Sequence, residues 1–186
     1  MTRLKTNAID SVPDLHAMVD GRSNLHFEAG NAIDDGALLH AARHLTPGVP
    51  ITVVTGGLLH YLNLEERARL ARNIGTVLDR AGEGSVWITD MPSWEGITDV
   101  DRSVARPTSA QTGRDVAGMR FENNAQASEF FANLGLPEIQ ARRRFDSVLG
   151  QLQAPQRLGI SREAVGAKIR PWSLWRLGRP SIGKSS

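Results

Sequence analysis

The 186 residues include no cysteine, which excludes disulfides, thiolate catalysis and cysteine-based metal sites. No apolar run reaches the roughly 20 residues that a membrane-spanning helix needs. The opening segment MTRLKTNAIDSVPDLHAM has basic residues but lacks the apolar stretch of a secretory signal, so a cytoplasmic location with no membrane partner is expected. Lysine is scarce: three stand against 19 arginines, an imbalance of the kind GC-rich coding produces. Residues 1–100 carry 8 basic and 13 acidic side chains, and residues 101–186 carry 14 and 7. Such a split marks either nucleic-acid binding or, more simply, two halves that attract each other within one domain. No compact basic run with interleaved aromatics is present, so no nucleic-acid partner is expected; Arg142 to Arg144 read as a solvated face.

Other catalytic constellations are missing as well. His40 and His44 have the i, i+4 spacing of a metal pair, but HAARH holds no glutamate and no third ligand is in view, so no metal site is expected. No serine sits in a nucleophile-elbow context.

What is present is the composition of a folded domain, 40% hydrophobic and 23% charged. Residues 1–180 are expected to form a single domain and residues 181–186, IGKSS with its preceding serine, a flexible tail. NLHFEAG alternates apolar and polar residues over 24–30 and predicts a strand with one wet face. DDGALLHAARHL predicts a helix with Asp34 or Asp35 as its cap. ITVVT, over 51–55, is a continuous apolar run and predicts a central strand covered on both faces. A helix then begins near Asn63, whose side chain and Glu66 form an N-x-x-E capping box, and ends before Gly82. SVWIT, over 85–89, predicts the next strand. NNAQASEFFANLG predicts a helix capped by Asn123 or Asn124, and EIQARRRFDSV and SLWRLGR predict two late strands joined by a reversing connection at one sheet edge. Strands alternating with helices indicate an α/β fold with a mainly parallel sheet.

In such sheets ligands sit beyond the carboxyl ends of the strands. The residues there are Gly30 to Asp34, Thr55-Gly56-Gly57 and Asp90-Met91-Pro92. Asn31 and Asp34 have the groups to hydrogen-bond a purine edge, and Gly56 and Gly57 let a ligand approach the backbone; equally, Asp34 caps a helix and the glycines only turn the chain. His60 is a candidate general base beside this turn, against a purely structural role next to Tyr61.

Taken together and in order, NLHFEAGNAID, PITVVTGGLLHYLNLEERARLARNIG and GSVWITDMPS resemble the central region of class I S-adenosylmethionine-dependent methyltransferases, in particular the leucine carboxyl methyltransferase and polyketide O-methyltransferase-like branch. The resemblance implies a Rossmann-like α/β fold with helices on both faces, S-adenosylmethionine as cofactor, and methyl transfer to an oxygen of a small-molecule acceptor. It implies that Asn31, Ala32 and Asp34 meet the adenine side of the cofactor, and Thr55 and Gly56 its methionine part. Tyr61, in the floor of that crevice, and Trp94, after the strand ending at Asp90, are candidates to line the acceptor pocket; equally, Trp94 is a packing residue. NAIDSVPDL resembles the family's acid-x-Pro segment at the end of the second strand, so that Asp10 or Asp14 would hold the ribose.

Two departures stand out. The family's E-G-L-L is Gly-Gly-Leu-Leu here, with Gly57 in place of the glutamate, and no G-x-G turn precedes Gly21, the first glycine. The expected domain is therefore incomplete, N-terminally truncated and lacking the first strand with its glycine-rich loop. A catalytically inactive fragment or a partner-dependent interaction module is the alternative, and unpaired strand edges would favour a homo-oligomer or a segment-swapped dimer.

Overall fold

The computed structural model describes residues 2–95, 113–115, 118–143, 157, 159 and 173–180. Its elements are α1 (Thr2–Asp10), α2 (Pro13–Asp20), α3 (Ala37–Ala41), β1 (Thr52–Thr55), α4 (Leu64–Ala81), β2 (Val86–Asp90), α5 (Asn124–Asn133), β3 (Glu138–Arg143) and β4 (Ser173–Gly178). Short 3-10 turns follow α3 at Ala42–His44 and β1 at Leu58–Tyr61. The expected tail over 181–186 lies outside the described residues.

The four strands form one sheet in the order β1-β2-β4-β3. β1 and β2 are parallel, with Val53 opposite Trp87 and Thr55 opposite Thr89, and α4 makes the crossover between them. β4 runs antiparallel to both β2 and β3, which is the reversing closure the late strands predict. The fold is thus α/β, but the described sheet is mixed rather than mainly parallel, with one parallel pairing and two antiparallel ones.

Helix α4 begins as its sequence dictates. Asn63 accepts from the Glu66 amide at 2.8 Å, and the Glu66 carboxylate accepts from the Asn63 amide at 2.9 Å. Leu70, Ala71, Ile74 and Leu78 recur at helical spacing and join Trp87, Trp175, Leu177 and Phe131 in the main core. Trp87 and Phe131 meet edge to face, with centroids 5.5 Å apart. Asn123 is the cap of α5, accepting from the Gln126 amide.

Trp87, Trp175 and Leu177 share one face of the sheet by register, and α4 and α5 both bury their stripes against that face. On the opposite face Val54 is 68% exposed and Leu174 40%. The expectation that the run 51–55 is covered on both faces is therefore corrected: β1 is an edge strand, its burial alternating exposed and half-buried. Two further expectations fail for related reasons. Residues 24–30 are not a strand: Asn24 lies in a turn, and no described strand lies beside the segment to complete a ladder. The segment NAIDSVPDL lies in α1 and α2, with Pro13 at the start of α2, where a missing amide costs nothing. Helix α3 is also shorter than expected and begins after Gly36 at φ 76°, so neither Asp34 nor Asp35 is its cap. No helix among the described residues is long and apolar enough to cross a membrane.

Candidate functional site at the carboxyl ends of the parallel strands

β1 and β2 end side by side, and a connected set of polar groups ties their ends together. The Trp87 indole donates to Thr55 Oγ1 at 3.0 Å, Thr55 Oγ1 donates to Thr89 Oγ1 at 2.9 Å, and Thr89 Oγ1 donates to the Asp90 carbonyl at 3.2 Å. The Asp90 carboxylate is almost buried. One oxygen accepts from the Gly57 amide at 2.8 Å and the other meets His60 Nε2 at 3.0 Å. Burial pushes the Asp90 carboxyl up, but the hydrogen bonds from His60 and the Gly57 amide outweigh it and hold the group below its ordinary value. An ionised Asp90 therefore clamps the turn after β1 to the end of β2.

The turn itself needs glycine. Gly57 lies at φ 72°, a region that side-chain-bearing residues rarely adopt. Gly56 is exposed, and a Cβ built there would meet nothing within 4 Å. The backbone is thus open to a ligand at the point where the two parallel strands end.

The candidate residues are only partly drawn together. Thr55 and Gly56 stand at this turn, although the Thr55 hydroxyl is committed to Trp87 and Thr89, which leaves its backbone as the part a ligand could meet. Tyr61 is 44% exposed on the following turn. Trp94, beyond β2, is covered by the Arg120 guanidinium, 4.8 Å from its ring centroid. Asn31 and Asp34 form a turn of their own, with Asn31 Nδ2 donating to Asp34 Oδ1 at 3.0 Å. Asn73 of α4 anchors that turn by donating to the carbonyls of Ala32 and Asp34, both at 3.0 Å. Asp10 instead closes helix α1 and pairs with His16 of α2, both exposed, so the strand-end placement expected for Asp10 is not what the fold provides. Asp14 likewise lies in the first turn of α2.

The candidate general base, His60, is buried, and its Nε2 lies 3.0 Å from the Asp90 carboxylate. Of the histidine pair, His44 bonds Glu28 at 2.8 Å and stacks on His26. No group of three histidine, aspartate or glutamate side chains fit to hold a metal is found among the described residues.

Sequence reasoning missed four groups at this end of the sheet. Asp90 was visible only as a strand end, and Asn73 as one polar residue on a long helix. Arg114 donates to the Glu66 carboxylate at 2.7 Å and to the Tyr61 carbonyl at 2.8 Å, which with the Asn63 amide holds the Glu66 carboxyl below its usual range. Arg67 is wholly buried, although it stands in the charged run EERAR at the start of α4.

No protein-family model and no curated protein matches the sequence. Solved structures do. Geranyl diphosphate C-methyltransferase from Streptomyces coelicolor A3(2), in complex with Mg2+, geranyl diphosphate and S-adenosyl-L-homocysteine, aligns with a TM-score of 0.49 at 11% identity, over 92% of this chain and 60% of that one. A DUF574 family protein from Streptomyces avermitilis MA-4680 aligns with a TM-score of 0.57 at 18% identity, over 92% of this chain and 62% of that one. This chain therefore spans about three fifths of the length of either structure. Over that span it shares the α/β fold of the Streptomyces avermitilis DUF574 protein.

Proposed function

We propose that the chain serves methyl transfer from S-adenosylmethionine to an oxygen of a small acceptor. The observation that carries this reading is the open turn Thr55-Gly56-Gly57, held by a buried carboxylate at the carboxyl ends of two parallel strands. Its lack of side chains fits a ligand lying against the backbone, and the motifs around it are those that resemble the methyltransferases. When bound, the cofactor supplies an electrophilic sulfonium methyl, and in-line transfer then depends chiefly on proximity and orientation.

The residues divide that work. Thr55 and Gly56 would hold the methionine part, and Asn31, Ala32 and Asp34 the adenine side. Asp90 and His60 are positioning residues that fix the turn. Tyr61 and Trp94 would border the acceptor. Calorimetric titration of the folded chain with S-adenosylmethionine and S-adenosylhomocysteine tests this. Saturable binding that Gly56→Val weakens without lowering Tm is expected. A folded chain that binds neither ligand would defeat the reading.

A second reading, a partner-dependent interaction module, is favoured by two observations: Val54 and Leu174 are exposed on one face of the described sheet, and α2 buries none of its residues. Light scattering that shows a dimer or larger assembly, dispersed by Val54→Lys, would support it.

A further inference from the structure

Arg67 is 0% exposed, and only one of its three guanidinium nitrogens is satisfied. Nε donates to the Leu59 carbonyl at 3.1 Å, while Nη1 and Nη2 are buried without an acceptor. The guanidinium carbon lies 4.9 Å from the centroid of Phe121. Buried charges are ordinarily paired, because an unpaired one forfeits its hydration for nothing. Among the described residues no carboxylate bonds to these two nitrogens. Four described carboxylates of the neighbouring segments are engaged elsewhere: Glu66 with Arg114 and the Asn63 amide, Asp90 with His60 and the Gly57 amide, Glu95 with the Asn124 amide, and Asp115 with the Gly118 amide.

A second cationic side chain stands near it. Desolvation first, and the nearby charge of Arg120 second, bring the Arg67 pKa down to about 10, so the group is still a cation at neutral pH. Arg120 reaches the Ser93 carbonyl at 3.2 Å, and Ser93 bridges to Phe121. Two guanidinium groups thus stand between the turn after β1 and the segment after β2, at the end of the sheet where the transfer reaction is placed.

We propose that Arg67, with Arg120 beside it, is an oxyanion-recognition site, and that the acceptor carries a carboxylate that the two terminal amino groups of Arg67 receive as a bidentate pair. This names the acceptor class and rests on the methyl-transfer reading. A planar guanidinium presents parallel donors at the spacing of a carboxylate, and in a dry site such bonds are strong. Since the group is closed off from solvent, binding entails movement of the Phe121 ring that lies against it.

The test is made without cofactor, so that its failure is separable from a failure to bind S-adenosylmethionine. Thermal unfolding of the chain is followed with benzoate, with the neutral control benzamide, and with inorganic phosphate, for the wild type and for Arg67→Met and Arg67→Lys. Saturable stabilisation of the wild type by benzoate but not benzamide is expected. Arg67→Met should lose it, Arg67→Lys should retain a weakened part, and Arg67→Met alone should unfold at a Tm equal to or above the wild type. Stabilisation by phosphate in preference to benzoate would keep the oxyanion site and overturn the carboxylate. Equal shifts in wild type and Arg67→Met, or no shift with a lower Tm for Arg67→Met, would overturn the site and leave Arg67 as a packing residue.

Discussion

Replacing Asp90 probes the polar clamp directly. In Asp90→Ala the Gly57 amide and the His60 ring both lose their acceptor in a nearly dry place. Hydrogen bonds to a charged group contribute about 1.5–3 kcal/mol each, and the two share one carboxylate, so a loss of about 3 kcal/mol is expected. In a domain of this size that lowers Tm by roughly 6–12 °C. The pH dependence supplies an independent signature. The folded carboxyl is held below the ordinary 3.8, so the stability it contributes is complete above that value and is lost as the pH falls through the lower folded value. Asp90→Asn keeps the volume and an acceptor but cannot titrate. It should cost less than Asp90→Ala and should flatten the acid limb of the stability curve. Calorimetry and urea unfolding between pH 2 and about 7 would measure both effects, over the range where a carboxylate titrates. A loss below about 1 kcal/mol in Asp90→Ala, or an unchanged acid limb in Asp90→Asn, would refute the reasoning.

Three other predictions separate conformational, electrostatic and surface effects. Gly57→Ala, at φ 72° with open space around its Cβ, should cost only the backbone term of about 1–2 kcal/mol, whereas Gly82→Ala combines φ 116° with a Cβ 2.7 Å from the Gly48 carbonyl oxygen and should cost clearly more in urea unfolding. The Glu28 carboxyl, lowered from 4.5 to about 2 first by the Arg43 hydrogen bond and next by that of His44, should titrate near 2 by NMR and move back toward 4.5 in Arg43→Ala. Arg179 grips Asp79 through both carboxylate oxygens, at 2.7 and 2.6 Å, and donates to the Gly135 carbonyl at 3.0 Å; because the pair is exposed, Arg179→Ala should cost only about 1 kcal/mol, and less at high salt.

The elements that the sequence makes legible are those whose signal is local. The capping box at Asn63 and Glu66 is such a case, since it depends on four consecutive residues. The runs that become β1, β2 and β4 are legible because apolar strands bounded by glycine or a charge have few other uses. NLHFEAG shows the limit of that logic: its alternation states which side chains would share a face, but not whether a neighbouring strand exists. NAIDSVPDL misleads because its family-like acid and proline are equally good at starting a helix. At the candidate site the glycine turn is legible and its clamp is not, because Asp90 and His60 are 30 residues apart. Arg67 is the instructive omission. It precedes Leu70, Ala71 and Ile74 at spacings of three, four and seven, so the apolar stripe of α4 itself places it on the buried face.

The strand order carries a consequence for how the molecule is made. β4 is the last described strand in the chain, yet it lies inside the sheet, between β2 and β3. During synthesis β2 therefore waits with an open edge until residues 173–178 leave the ribosome, and β3 waits with it. Trp175 and Leu177 arrive at the same moment to complete the core beneath α4 and α5. The nascent chain is exposed to strand-to-strand misassociation from the emergence of β2 until that of β4, and a stop codon before Ser173 would release it in that state.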